Sequence, residues 1–181
     1  MNARRSTLIA SILMIPFLAG ADDPAVDYNT KVAAFARSKI GEKVGDGDCS
    51  TLVQEAMRDA GAKVLLSPAA DGEYLWGEPR KSLKDAKPGD VLQFEKVTFR
   101  GRRRKVNDDG SAVLLMTKTS LPHHSAIVTA VGPKGRTLTM LHQNGPGPDG
   151  QSLKIVQETT LVMSELQKGG SLKAYRPVAP E

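Results

Sequence analysis

Apolar positions change their spacing once along the chain, and that change divides it into a helical first part and a β-rich second part. Val32, Ala33, Phe35, Ala36 and Ile40 recur at helical spacing, with Gly41 placed to stop the helix. Leu52, Val53, Ala56, Met57 and Ala60 mark a second amphipathic helix that ends at Gly61. Asp48 is its natural N-cap, and Thr51 to Gln54 offers an alternative capping-box start. Residues 62–87 have no clear period and predict a long connection, with a short strand or turn near Val64–Leu66.

After the turn Pro88-Gly89-Asp90 the pattern becomes that of strands: Asp90–Phe99, Ala112–Lys118, Ser125–Val131, Thr137–Leu141 and Leu153–Glu158. Gly/Pro/Asp/Asn clusters at 107–110, 132–135 and 144–150 separate most of them. Thr160 to Gln167 predicts a short helix ended by Gly169-Gly170, and Ser171–Tyr175 a last strand. Helices first and strands afterwards imply α+β, with N-terminal helices packed on an antiparallel sheet.

The first residues change where such a domain would work. Arg4 and Arg5 precede an apolar run from Leu8 to Leu18, and Ala19-Gly20-Ala21 follows as a small-x-small cleavage pattern. This predicts a signal peptide over 1–21 and a secreted or periplasmic mature protein. The run is too short to span a bilayer, and alanine stands where a lipidated cysteine would be, so no stable membrane anchor is expected. Residues 22–29 form a lead-in, 30–176 the domain and 177–181 a tail. One domain of this size has enough chain for a real core, and a monomer is expected.

The formal charge of +5 falls to +3 when Arg4 and Arg5 leave, with 23 Lys and Arg against 20 Asp and Glu. A mildly basic chain with one Trp, three Tyr and four Phe has few stacking surfaces, so no nucleic-acid partner is expected. The densest basic run, Arg100-Gly101-Arg102-Arg103-Arg104-Lys105, is expected at a hairpin tip as a solvated turn, with an anionic polymer as the alternative.

Cys49 is the single cysteine, so no internal disulfide can form. It follows the glycine-rich turn Gly45-Asp46-Gly47-Asp48 and opens the second helix, where free N–H groups and the helix dipole favour a thiolate. A lone cysteine with histidines elsewhere is a candidate nucleophile; the alternative is a small buried hydrophobe. A depressed thiol pKa is expected on the first reading. Of the neighbours His123 and His124, alternation lets only one face the cysteine, and His124 precedes the apolar strand. Closely spaced ligand pairs are missing, so no metal site is expected. Trp76 serves either the core or a substrate cleft, and Asp48 caps the helix or borders that cleft.

Asp48-Cys49-Ser50 at a helix start, Pro88-Gly89-Asp90-Val91, and His124-Ser125-Ala126-Ile127-Val128 together resemble the NlpC/P60 and CHAP cysteine peptidases and amidases. The resemblance covers residues 30–176 and implies a papain-like fold, no cofactor, and amide hydrolysis in peptidoglycan or another amide-containing envelope polymer. It makes Cys49 the nucleophile and His124 the base, and gives the third, orienting role to His142 or Asn144. The chain departs from both families around the cysteine. Thr51 replaces a glycine, and Asp48 stands where CHAP enzymes have glutamine. An inactive envelope-binding or inhibitor domain on the same fold is one rival reading; a thiol hydrolase or acyltransferase with another substrate is the second.

Overall fold

The computed structural model describes residues 27–64, 74–147 and 151–180. The expected signal peptide 1–21, most of the lead-in and Leu65–Leu66 of the first connection lie outside them.

Among the described residues two helices come first. α1 (Tyr28–Ser38) is capped by Asp27, whose carboxylate accepts the Thr30 N–H at 3.1 Å, and it buries Val32, Ala33 and Ala36. It ends before Gly41; Ile40 has already left the helix and bridges to Val156. α2 (Cys49–Ala60) buries all five of its apolar-stripe residues and stops at Gly61 in the left-handed conformation, as the pattern predicts.

The strands are β1 (Glu78–Pro79), β2 (Val91–Val106), β3 (Ala112–Val131), β4 (Thr137–His142), β5 (Gly145–Pro146), β6 (Ser152–Leu153), β7 (Gln157–Val162) and β8 (Ser171–Arg176). Six of them form an antiparallel sheet in the order β1-β8-β2-β3-β4-β7, and β5 pairs with β6. The result is a mostly antiparallel α+β fold.

Alternation along the sheet divides the core in two. Val91, Ile127, Leu141 and Tyr175 pack with Trp76 and the buried faces of both helices. Leu92, Phe94, Ala126, Val128, Met140 and Ala174 form a second cluster with Leu138 and Leu161.

Three expectations about elements are corrected. β3 is one strand of 20 residues where two were expected, because Pro122 lacks an N–H and breaks the apparent pattern without ending the ladder. The basic run lies within β2, and the hairpin turn is Asn107–Ser111, closed by the Asn107 N–H to Ser111 O at 2.8 Å. The helix expected over 160–167 is the end of β7 plus a single 3₁₀ turn, Met163–Glu165; the β-branched Thr159, Thr160 and Val162 pair with β4 instead.

A polar clasp ties the layers together. Asp90, fully buried, accepts hydrogen bonds from Asn29 Nδ2 of α1 at 2.8 Å, the Lys87 N–H at 2.9 Å, and Arg176 Nε and Nη2 of β8, each at 3.0 Å. Gly89 makes room for it. Its φ is +87°, and a Cβ there would lie 2.0 Å from the Asn29 carbonyl oxygen. This accounts for the Pro88-Gly89-Asp90 motif as the joint between α1 and the sheet. Residue 178 is also tied down, since its carbonyl accepts the Lys63 N–H at 2.8 Å.

Candidate active site

The turn before α2 is held by Asp46 rather than by the N-cap residue. Asp46 Oδ1 accepts the Asp48 N–H at 2.9 Å and the Thr51 hydroxyl at 2.7 Å. The Asp48 backbone occupies the N-cap position, but its side chain makes no capping bond and accepts Asn144 Nδ2 at 3.0 Å. Gln143, fully buried, donates to the carbonyls of Val44 (2.9 Å) and Asp48 (2.8 Å) and accepts the Val44 N–H (3.1 Å). Gln143 and Asn144, which follow β4 directly, therefore fix the loop that presents Cys49. No apolar period or motif marks Gln143; its place between His142 and Asn144 is the only signal the sequence carries for it.

His124 on β3 and His142 at the end of β4 meet in the interior. His124 Nε2 lies 2.9 Å from His142 Nδ1, the rings stand nearly perpendicular at 4.9 Å between centroids, and both residues are buried. The other nitrogen of His142, Nε2, lies 2.9 Å from the Thr159 hydroxyl of β7. A chain of imidazole, imidazole and hydroxyl thus crosses three elements, and it leaves His124 Nδ1 as the nitrogen not engaged by His142. Gly145 leaves space for it: a Cβ there would fall 2.3 Å from His142 Cε1 and Nδ1.

Of the two third-group candidates, the structure brings His142 to His124 and sends Asn144 to Asp48. His123 is exposed. Trp76 is fully buried, stacked on Tyr74 with centroids 4.6 Å apart, and donates its indole N–H to Gln93 Oε1 at 2.9 Å. It is therefore core, not cleft. Gln93 Oε1 also accepts the Ser125 hydroxyl at 2.7 Å.

Cys49 is half-buried. Burial pushes its thiol above the ordinary value, and the neighbouring Asp48 charge adds to the rise; hydrogen bonds from the Ser125 and Ser50 amides pull the other way without prevailing. The expected depressed thiol is corrected: desolvation outweighs the helix N-terminus. The sulfur meets β3 at the amide next to His124, and among the described residues no hydrogen bond joins sulfur to imidazole.

Burial lowers both histidines, His124 to about 3 with the His142 charge adding to the shift, and His142 to about 4. The resting site is therefore a neutral thiol beside neutral imidazoles. The sign of the linkage follows. An unfolded imidazole titrates near about 6.5, so the unfolded chain binds protons that the folded site refuses as pH falls below that value. Urea-unfolding stability is expected to drop between about pH 6.5 and 5, above the usual carboxylate range. A flat profile there would contradict neutral buried rings.

The sequence pattern of the AIM3/BBC1 cysteine proteinase-fold domain matches residues 23–181. The chain belongs to this family. Its fold is accordingly papain-like, as the resemblance implied at that coarser level. A curated relative, the Altered inheritance of mitochondria protein 3 of the yeast Debaryomyces hansenii, is 24% identical over 164 residues, covering 83% of this chain and 16% of the relative. The chain spans about a sixth of that relative's length. No solved structure matches.

Family and relative overturn two expectations. An exported hydrolase of peptidoglycan or another envelope polymer does not fit an AIM3/BBC1 domain whose relative is a yeast protein, and the secreted or periplasmic location falls with it. The misreading has a plain source: an apolar run behind two arginines satisfies the export pattern whatever its use, and it lies outside the described residues.

Proposed function

We propose that this AIM3/BBC1 domain carries cysteine-peptidase chemistry directed at a peptide or protein amide, with Cys49 as nucleophile, His124 as base and His142 as the group that orients it. The observation that carries the reading is the His124 Nε2 to His142 Nδ1 contact of 2.9 Å, which leaves Nδ1 as the base nitrogen on the residue beside the thiol's amide partner. The motifs at Asp48-Cys49-Ser50 and His124 support a kinship of site with the NlpC/P60 and CHAP enzymes.

Because both partners rest neutral, the thiol proton moves to His124 Nδ1 as sulfur attacks the carbonyl carbon, rather than before substrate arrives. The thiol–imidazole hydrogen bond tightens with bound substrate, as catalytic contacts in empty sites often do. N–H groups at the start of α2 stabilise the oxyanion. His124 returns the proton to the leaving amine as the C–N bond breaks, giving a thioester. Water, deprotonated by the same imidazole, then cleaves the C–S bond and regenerates the thiol.

The raised thiol and weakly basic imidazoles also favour a second reading, a protein-binding domain that keeps the fold without turnover.

The test is digestion of a proteome-derived peptide library, with new termini mapped by mass spectrometry. New termini are expected with the wild type and none with Cys49→Ala. Cleavage that survives Cys49→Ala, or a wild type that cleaves nothing, would overturn the proposal; the latter outcome favours the binding domain.

A further inference from the structure

β2 pairs with β8 only as far as Glu95 and Ser171, and β3 pairs with β4 only from Ile127 onward. Between those points the two strands continue as a two-stranded arm to the turn at residues 107–111. One face of the arm is braced against the fold. Gly101 sits so close to Glu165 that a Cβ would fall 2.3 Å from its carboxylate, and Arg103 forms an ion pair with the same group. Phe99 also bridges to Leu166.

The opposite face is defined by register. Arg100 stands opposite Lys118, Arg102 opposite Met116, and Arg104 opposite Leu114, and residues opposite each other share a face. All six are exposed, Leu114 at 62% and Met116 at 68%. Among the described residues no ion pair engages the four cations, in contrast to Arg103.

We infer that this face docks on an anionic lipid bilayer. The cations complement the phosphates and anionic headgroups of a leaflet. Leu114 and Met116 stand on β3 across from Arg104 and Arg102 and would enter the acyl boundary, while the arginine stems lie along the apolar layer and keep their guanidiniums in the headgroups. Residues 100–118 contain no aromatic side chain to stack on bases, which disfavours nucleic acid as the occupant. No helix among the described residues is long and apolar enough to cross a membrane. This docking face is independent of the catalytic proposal.

The 181-residue chain is sedimented with phosphatidylcholine vesicles and with phosphatidylcholine–phosphatidylserine vesicles. It is expected to partition onto the second kind only, and less as salt rises. Each basic residue near an anionic surface is worth roughly fivefold in partitioning, so Arg102→Gln with Arg104→Gln should weaken binding about 25-fold. Leu114→Ser with Met116→Ser should weaken binding to the anionic vesicles without changing its salt dependence. The four positions are exposed, so circular dichroism and urea midpoints should stay unchanged. Equal sedimentation with both vesicle types, or no response to either double variant, would overturn the inference. So would a dimer in solution that Leu114→Ser with Met116→Ser dissolves while wild-type vesicle binding is absent, since the face would then belong to a second copy.

Discussion

Asp90→Ala is expected to cost about 3 kcal/mol of folding stability, the low end of the range for removing one partner of a buried ion pair. The substitution strands donors from three directions, Asn29 of α1, the Lys87 amide and the Arg176 guanidinium, at a position with no exposure of its own. Arg176 keeps partial access to water, which holds the loss to that lower end. Asp90→Asn retains an acceptor and should lose less. Equilibrium urea unfolding reads both. A loss below about 1 kcal/mol for Asp90→Ala would place the clasp among ordinary surface pairs and remove its role as the joint between helix layer and sheet.

Gly145→Ala is expected to leave the fold standing and disable the site. The added methyl would overlap the His142 ring, so the ring must turn or the β5 backbone must move. Overpacking of this kind costs about 1–3 kcal/mol. The functional effect is larger, since displacing His142 breaks its contact with His124 and a misplacement near 1 Å can cost about 10²-fold in rate. Peptide cleavage in the library assay should fall by that order, and the imidazole NMR signals of both His124 and His142 should shift. Unchanged ring signals would show that the pocket yields elsewhere and that His142 is less tightly placed than its contacts imply.

Helix α2 was legible in the sequence, because its apolar stripe and terminal glycine agree and the first of its two candidate starts, behind Asp48, is the one the structure takes. The strands that bury a face were found nearly in place for the same reason, except the one expected over Leu153–Glu158, where the structure has the two-residue β6 and then β7 at Gln157–Val162. The arm was not. From Arg102 onward its residues are exposed on both faces, so the alternation that identifies a half-buried strand is missing, and Arg102-Arg103-Arg104 reads as a loop. The Thr160–Gln167 error has a similar origin: a short apolar segment fits a helix until pairing with β4 decides it.

At the site, the sequence singled out Cys49, His124 and His142, and the structure brings the two histidines into contact and the thiol to the amide of Ser125. What it could not supply was depth. Helix-start geometry argues for a thiolate, but how far the sulfur is withdrawn from water depends on Ser125, Gln143 and the loop they hold, which come from residues 76 to 94 positions away. Thr159 and Gly145 were invisible for the same reason, since each acquires its role only by lying against the His142 ring.

The thiol and both imidazoles rest neutral until substrate arrives. The most direct test of this is the rate of Cys49 alkylation by iodoacetamide across pH, in the wild type and in His142→Ala. The wild-type rate is expected to stay low through neutral pH and to rise only above the ordinary thiol range, and His142→Ala to follow nearly the same curve, because a neutral ring that makes no bond to the resting sulfur leaves its titration alone. A rate already at its plateau near neutral pH in the wild type would mean a preformed thiolate and would contradict a neutral resting site.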